Sequence, residues 1–121
     1  MGLIIKEVGL LGSKNKYKKL KALFDTGATR NYISKNFSDN TTIDDLGVVE
    51  YHGQDFVIFP DGFSKNGSII NLKLLKIENV PIEEPEFFLM DMKIYDVIIG
   101  AKLMQKINLI LNPSVKELSF G

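Results

Sequence analysis

One stretch of the chain, residues 22–29 with the sequence Ala-Leu-Phe-Asp-Thr-Gly-Ala-Thr, places an acid directly after an apolar run. A carboxylate at the end of a buried strand is costly unless it is paired or used in chemistry. Gly27 follows two residues later, and a glycine lets other backbone come close and adopts turn angles that other residues avoid. The stretch therefore predicts a strand that delivers the Asp25 carboxylate to a tight loop.

The rest of the chain predicts an all-β protein built from many short strands. Apolar runs alternate with turn residues at intervals of roughly 8–12 residues, which is typical of a β-barrel or β-sandwich. One short stretch near the end, residues 101–107, is rich in helix formers instead. The predicted strands are 3–11, 17–24, 31–34, 46–51, 54–59, 68–77, 87–92, 95–100, 109–111 and 115–120.

Length and composition narrow the class of protein. A chain of 121 residues is one domain on size grounds, so residues 1–121 are predicted to form a single domain. The 15 basic and 15 acidic residues give no net charge, which does not indicate nucleic acid or an anionic membrane as a partner. There is no cysteine and His52 is the single histidine, so we expect no metal site and no cofactor.

The apolar runs are short, which bears on where the protein acts. None approaches the ~20 residues that a membrane helix needs. Residues 1–6 have no basic region and too short an apolar run for a secretory signal. Lys6 stands where a myristoylation signal has Ser or Thr. We expect a soluble, cytoplasmic protein, and a cysteine-free exported protein is the alternative.

The stretch around Asp25 resembles the active-site signature of aspartic peptidases, in which two apolar residues precede Asp-Thr/Ser-Gly-Ala. The chain length is similar to that of the retroviral type, the retropepsin-like family, in which one short chain is half an enzyme. An Asp-Thr/Ser-Gly triplet arises by chance in roughly 1 in 20 chains of this size, so the rest of the chain must agree with it.

Two further stretches resemble the family in the right order along the chain. Residues 96–104 resemble its second signature, an apolar strand that ends in a glycine, here Gly100, before a short helix. Such a glycine permits close approach to the Asp loop. Residues 60–62, Pro-Asp-Gly, resemble the tip of the family's flap hairpin. The resemblance covers about residues 3–120 and implies a closed or partly open acid-protease barrel with a flap hairpin and one short C-terminal helix, in a single lobe that dimerises.

Three positions depart from the retroviral pattern. Ala101 and Thr29 stand where retroviral members have an Arg and an Asp that pair with each other. Because both partners are absent together, no buried charge is left unpaired. Lys102 stands where the family often has Asp or Asn, which affects contacts in the dimer. The resemblance therefore implies a non-viral member, whose dimer is held mainly by its terminal strands.

The resemblance implies an aspartic endopeptidase that acts on peptides or proteins as a homodimer, with the catalytic Asp25 from each chain. Thr26 is implied to lock the two Asp loops together, and Gly27 to offer backbone to the substrate. The Arg30 charge predicts some tolerance for acidic or polar substrate side chains. The implied substrate-binding residues are Ala28, Thr29, Arg30, Tyr32 and Ile98 in the pockets and Gly62 and Phe63 above the substrate.

Two alternatives remain open on the sequence. One is a catalytically silent binding or assembly domain on the same fold, although such a role would not require the acid of the triplet. The other is a different small β-barrel in which the triplet is coincidental. The remaining polar residues are expected to be structural: His52 in a loop, Asp44 and Asp45 in a polar turn, and Glu83, Glu84 and Glu86 in solvent.

Overall fold

The computed structural model describes residues 3–112 and 117–121. Its strands, in chain order, are β1 (Ile4–Leu11), β2 (Tyr17–Asp25), β3 (Tyr32–Ser34), β4 (Glu50–Ile58), β5 (Ser64–Asn71), β6 (Leu74–Ile77), β7 (Val80–Glu83), β8 (Glu86–Met90), β9 (Val97–Gly100), β10 (Leu109–Asn112) and β11 (Glu117–Phe120). Its helices are α1 (Ile43–Leu46) and α2 (Ala101–Lys106). The predicted strand 115–120 begins outside the described residues, and its remainder is β11. Within these ranges neither helix has the length to cross a bilayer.

Nine of the strands form one curled, half-barrel sheet in the order β4-β5-β8-β3-β9-β2-β1-β6-β7. The last two described strands, β10 and β11, pair with each other as a separate antiparallel hairpin. The all-β fold predicted from the sequence is confirmed, because the regular structure consists of these strands and two short helices.

Strand β9 lies between β2 and β3 and so fixes the end of β2. It runs parallel to β2, with Gly100 opposite Asp25, and antiparallel to β3, with Ile98 opposite Tyr32. Its sequence is apolar throughout, as expected for a strand that is flanked on both edges and largely covered on both faces. The position predicted for the strand of the second signature, beside the Asp loop, is therefore the observed one.

The core lies inside the curl of the sheet. Alternate side chains of β2 point into it, so that Leu20 and Ala22 are buried while Lys19 and Lys21 are exposed. Fully burying one large apolar side chain contributes about 1.5–3 kcal/mol to folding. The largest completely buried side chains include Leu10, Ile33, Ile70, Leu75, Phe87 and Ile99.

Helix α1 was not predicted, and the expectation of a polar turn at Asp44 and Asp45 is wrong. The Asp45 carboxylate accepts a hydrogen bond from the backbone N–H of Thr42 at 2.7 Å, which caps the start of the helix. Acids in the first turn are also favoured by the helix dipole. Ile43 and Leu46 are buried, so this single turn is held to the core by its apolar side.

The expectation that His52 lies in a loop is also wrong, because it lies within β4. The pairing of β4 with β5 shifts between Tyr51 and Gly53, where a β-bulge accommodates His52 without ending the strand. Gly53 adopts a φ of 128°, which other residues rarely take. The His52 Nε2 atom contacts Oδ1 of Asn71 on β5.

Strand β7 was also missed, and the predicted strand 68–77 is divided into β5 and β6. Glu78 has a positive φ of 54° in the turn that joins β6 to β7. Pro81, which reads as a strand breaker, is tolerated because β7 is the edge strand of the sheet. The hairpin expected around Asp61 is present as β4 and β5. The predicted strands 46–51 and 54–59 merge into β4, which begins at Glu50, and β5 begins at Ser64 rather than at 68, so the turn is shorter than predicted.

Candidate active site

Asp25 is the last residue of β2 and its side chain is half-buried. Its Oδ1 accepts a hydrogen bond from the backbone N–H of Gly27 at 2.9 Å, and its backbone carbonyl accepts one from the N–H of Ala28 at 3.1 Å. A Cβ atom at position 27 would lie only 3.2 Å from that Oδ1. Glycine therefore lets the chain turn tightly around the carboxylate, as the sequence predicted.

Gly100 packs against the backbone of the loop that follows Asp25. A Cβ atom at this position would clash with the carbonyl oxygen of Arg30 and lie 2.8 Å from that of Ala28. The close approach expected of this glycine is therefore observed. The atoms that a Cβ would meet belong to the backbone, and they cannot rotate away as a side chain can.

The start of helix α2 is joined to the same loop. The first N–H groups of a helix have no partner within it. Here the N–H of Ala101 donates to the carbonyl of Ala28 at 2.7 Å, and the N–H of Lys102 donates to that of Thr29 at 3.2 Å. The loop carbonyls accept hydrogen bonds from the first N–H groups of the helix, and these bonds in turn fix the path of the loop.

Asn31 completes this arrangement, and sequence reasoning missed it. Its side-chain oxygen accepts the N–H of Gly100 at 3.0 Å, and its side-chain nitrogen donates to the carbonyl of Glu86 at 3.3 Å. Its own carbonyl accepts the N–H of Phe88 at 2.8 Å. The one sequence signal was an amide residue directly after the signature, which is not specific to such a role.

Arg30, in the same loop, lies between an aromatic ring and an acid. Its guanidinium carbon is 5.2 Å from the centre of the Phe88 ring, and its Nη2 is 3.6 Å from Oδ2 of Asp55 on β4. The Tyr32 ring meets Phe88 edge-on at 5.7 Å. Burial raises the pKa of the Tyr32 hydroxyl, and the nearby Arg30 charge partly opposes this.

The other predicted substrate-binding residues lie in two places. Ile98 and Tyr32 are half-buried partners on β9 and β3 beside the loop, which itself contains Thr29. Gly62 and Phe63 lie at the tip of the β4–β5 hairpin, where Phe63 is 74% exposed. Among the contacts of the described residues, the hairpin meets the loop through Asp55 and Arg30, away from this tip.

A cavity of about 320 Å³ lies on another side of the loop and does not include Asp25 in its lining. Its walls are formed by the loop, α2 and the turn between β7 and β8, and its charged lining residues are Arg30, Glu83, Glu84, Glu86, Lys102 and Lys106. Across residues 3–112 and 117–121, no group of three or more His, Cys, Asp or Glu side chains is arranged to hold a metal ion.

Comparison with solved structures identifies the fold. The retroviral protease-like domain of Ddi1 from Leishmania major has a TM-score of 0.60 and 14% identity, over 99% of this chain and 89% of that one. A retropepsin-like aspartic protease from Rickettsia conorii has a TM-score of 0.51 and 13% identity, over 93% of this chain and 89% of that one.

A third similar structure is Lpg0085, a protein of unknown function from Legionella pneumophila, with a TM-score of 0.56 and 15% identity over 93% of this chain and 92% of that one. No protein-family model matches the sequence, and no curated protein matches it. At these identities the likeness shows the fold alone, and that fold is retropepsin-like.

Proposed function

We propose that this retropepsin-like domain is an aspartic endopeptidase that acts as a homodimer, with one catalytic Asp25 from each chain. The observation that carries the proposal is the position of Asp25. It lies at the end of β2, half-buried, in a loop that Gly27 makes tight and that Gly100 supports from the neighbouring strand. The similarity of the fold to that of a retropepsin-like aspartic protease supports peptide hydrolysis as the chemistry of this acid.

The chemistry requires two carboxylates, and the chain has one Asp-Thr-Gly triplet. A second copy related by a two-fold axis supplies the other carboxylate. Two adjacent carboxylates do not both ionise, so the pair shares one proton and titrates as a unit. The bond between Asp25 Oδ1 and the Gly27 N–H sets the orientation of each carboxylate before substrate binds.

In the proposed reaction, the ionised carboxylate accepts a proton from a water molecule, whose oxygen attacks the carbonyl carbon of the scissile peptide bond. The protonated carboxyl donates a hydrogen bond to the carbonyl oxygen. The carbon–nitrogen bond then breaks, the leaving amine takes up a proton from the pair, and the new carboxyl group stays with the other product.

The dimer interface is proposed to involve the β10–β11 hairpin. Ile110 on β10 is 52% exposed, and Phe120 on β11 is also exposed. Leu3 and Ile5, near the start of the described chain, expose apolar surface as well. A second chain that covered these apolar groups would remove them from water, which favours association. Thr26 is exposed beside Asp25, which leaves it available to contact the second Asp loop.

The substrate is proposed to be an extended peptide that lies between the Asp25 loop and the β4–β5 hairpin, which we call the flap hairpin. Such a peptide gains affinity from strand-like main-chain hydrogen bonds. Gly62 and Phe63, at the exposed tip, are proposed to lie above it. Its side chains are proposed to enter pockets lined by Ala28, Thr29, Arg30, Tyr32 and Ile98. Peptides or proteins of the cytoplasm are the proposed substrates.

The proposal is tested by digesting a peptide library with wild-type protein and with Asp25→Asn, at acidic and neutral pH, and identifying the products by mass spectrometry. We expect wild type to cut and Asp25→Asn to lose activity by roughly 10²–10⁴-fold or more. Asp44→Asn, which neutralises an exposed acid on α1, is the matched control and should cut as wild type does.

Two results would contradict the proposal: no cleavage by wild type, or equal cleavage by Asp25→Asn. A wild-type protein that dimerises but cuts nothing would support the alternative, a catalytically silent binding or assembly domain on the same fold.

A further inference from the structure

The ion pair between Arg30 and Asp55 joins the active-site loop to the middle of strand β4 in the flap hairpin. Asp55 lies opposite Gly67 in the pairing of β4 with β5. A Cβ atom at Gly67 would clash with the carbonyl oxygen of Leu89 and with the ring of Phe88. This part of the hairpin is therefore packed closely on β8, which fixes the position of Asp55 relative to the loop.

The Asp55 carboxylate is positioned before any substrate binds. Its Oδ1 accepts a hydrogen bond from the backbone N–H of Phe56 at 2.8 Å, while its Oδ2 faces Nη2 of Arg30 at 3.6 Å. The guanidinium also lies over the Phe88 ring, which limits where it can move. The Arg30 and Asp55 side chains are 41% and 39% exposed, so a carboxylate from a ligand can reach the pair.

The charges around Arg30 are closely balanced. The cavity that it lines carries three cations, which are Arg30, Lys102 and Lys106, and three carboxylates from the turn between β7 and β8. Asp55 is not part of that lining and adds one further negative charge next to the guanidinium. An acidic side chain that approaches Arg30 therefore meets a guanidinium that Asp55 already faces, and the Asp55 carboxylate repels the incoming acid.

We propose that Asp55 is a specificity-determining residue. By pairing with Arg30, it makes the enzyme select uncharged over acidic substrate side chains at the proposed substrate pocket that Arg30 lines. The inference rests on the proposed peptidase function. It also changes the expectation for Arg30, because an acidic substrate side chain can pair with Arg30 only if the Asp55 carboxylate moves away from the guanidinium.

The test uses peptides that wild type cuts, resynthesised in pairs that carry Glu or Gln at each position flanking the cleaved bond. The measured quantity is the ratio of kcat/KM for the Glu peptide to that for the Gln peptide. We expect Asp55→Asn to raise this ratio by roughly 2–5-fold at one position, the range that an exposed ion pair supports. Asp55→Ser is a second variant that should give the same shift.

Two further variants separate a direct effect of Asp55 from a general change of charge. Glu50→Gln removes an exposed acid from the same strand and should leave the ratio unchanged. In an Arg30→Gln background, Asp55→Asn should no longer raise the ratio, because the charge that it would uncover is gone.

The inference is overturned if wild type cuts and Asp55→Asn leaves the ratio unchanged at every position, or if the shift persists without Arg30. An absence of cleavage by wild type would instead overturn the proposed function, and the inference with it.

Discussion

The side-chain oxygen of Asn31 accepts a hydrogen bond from the backbone N–H of Gly100 at 3.0 Å, while the side-chain nitrogen of the same residue donates to Glu86. One amide side chain thereby connects the end of β9 to the start of β8. Gly100, which supports the Asp25 loop, is therefore held by Asn31, a residue of that same loop. This bond couples the stability of the fold to the geometry of the proposed active site.

Asn31→Ala is expected to lower the free energy of unfolding by about 1–3 kcal/mol, because it leaves the N–H of buried Gly100 without its acceptor. The measurement is urea unfolding followed by circular dichroism. Asn36→Ala is the matched control, since that amide donates to exposed Asp91 at 3.3 Å, and it should change stability by less than about 0.5 kcal/mol. Equal losses for the two variants would contradict this account of Asn31.

Gly100→Ala is expected to cost about 1–3 kcal/mol of stability, because the added methyl group meets the backbone carbonyls of Arg30 and Ala28. It should also reduce peptide cleavage, since the loop that holds Asp25 must move to accommodate it. Unfolding curves and kcat/KM for one peptide measure the two effects. Lys102→Ala, on the exposed side of α2, is the control and should change stability by less than about 0.5 kcal/mol. A Gly100→Ala protein as stable as wild type would show that the close contact is not needed.

Asp39 provides a test of the electrostatics away from the site. The Lys18 ammonium at 2.5 Å, with help from Thr41, holds the pKa of the Asp39 carboxyl at about 2. We expect Lys18→Met to raise this pKa towards its ordinary value of 3.8, as measured by an NMR titration of the side-chain carboxyl. A wild-type pKa near the ordinary value would contradict the pairing.

The sign of the effect on stability follows from that lowered pKa. The folded protein binds the proton on Asp39 less readily than the unfolded chain does, so the pair stabilises the fold above about pH 4. This contribution is lost as the pH falls towards 2. It is small, because the carboxylate is exposed and solvent screens the interaction.

Ile110→Asp is expected to weaken the proposed dimer, because it places a charge where β10 exposes apolar surface. Sedimentation velocity over a range of concentrations should show more monomer than for wild type, with a parallel loss of cleavage at low protein concentration. Asn79→Asp, which adds the same charge at an exposed position in the turn between β6 and β7, is the control. If Ile110→Asp dimerises as wild type does, the interface lies elsewhere.

The loop at Asp25 and the glycine that supports it could be predicted from the sequence, because both depend on local backbone requirements. An acid after an apolar run and a glycine where no Cβ fits leave a signal in the residues themselves. The flap hairpin was likewise marked by its turn residues, and Gly62 at its tip has a positive φ of 88°. Helix α1 is hidden in the sequence because it is a single turn of four residues, too short for the helical repeat of apolar residues to show.

The partners of Arg30 and Asn31 could not be predicted in the same way. Asp55 meets Arg30 because of how β4 pairs with β5 and how β5 packs on β8, and each register is set by the whole sheet. The bond from Gly100 to Asn31 likewise depends on β9 lying between β2 and β3. Contacts between residues far apart in the chain leave little trace in the local sequence, although they determine the charges around the site and the bonds that support it.

The most direct test of the central claim is a subunit-mixing experiment, since the claim is that each active site takes one Asp25 from each of two chains. Wild-type protein is held at a fixed concentration, well above that needed for dimerisation, and increasing amounts of Asp25→Asn are added and allowed to exchange. Mixed dimers have one carboxylate and should be inactive, so an equal amount of the variant should reduce the rate of peptide cleavage to roughly half. A rate that stays constant at every ratio of variant to wild type would contradict the claim.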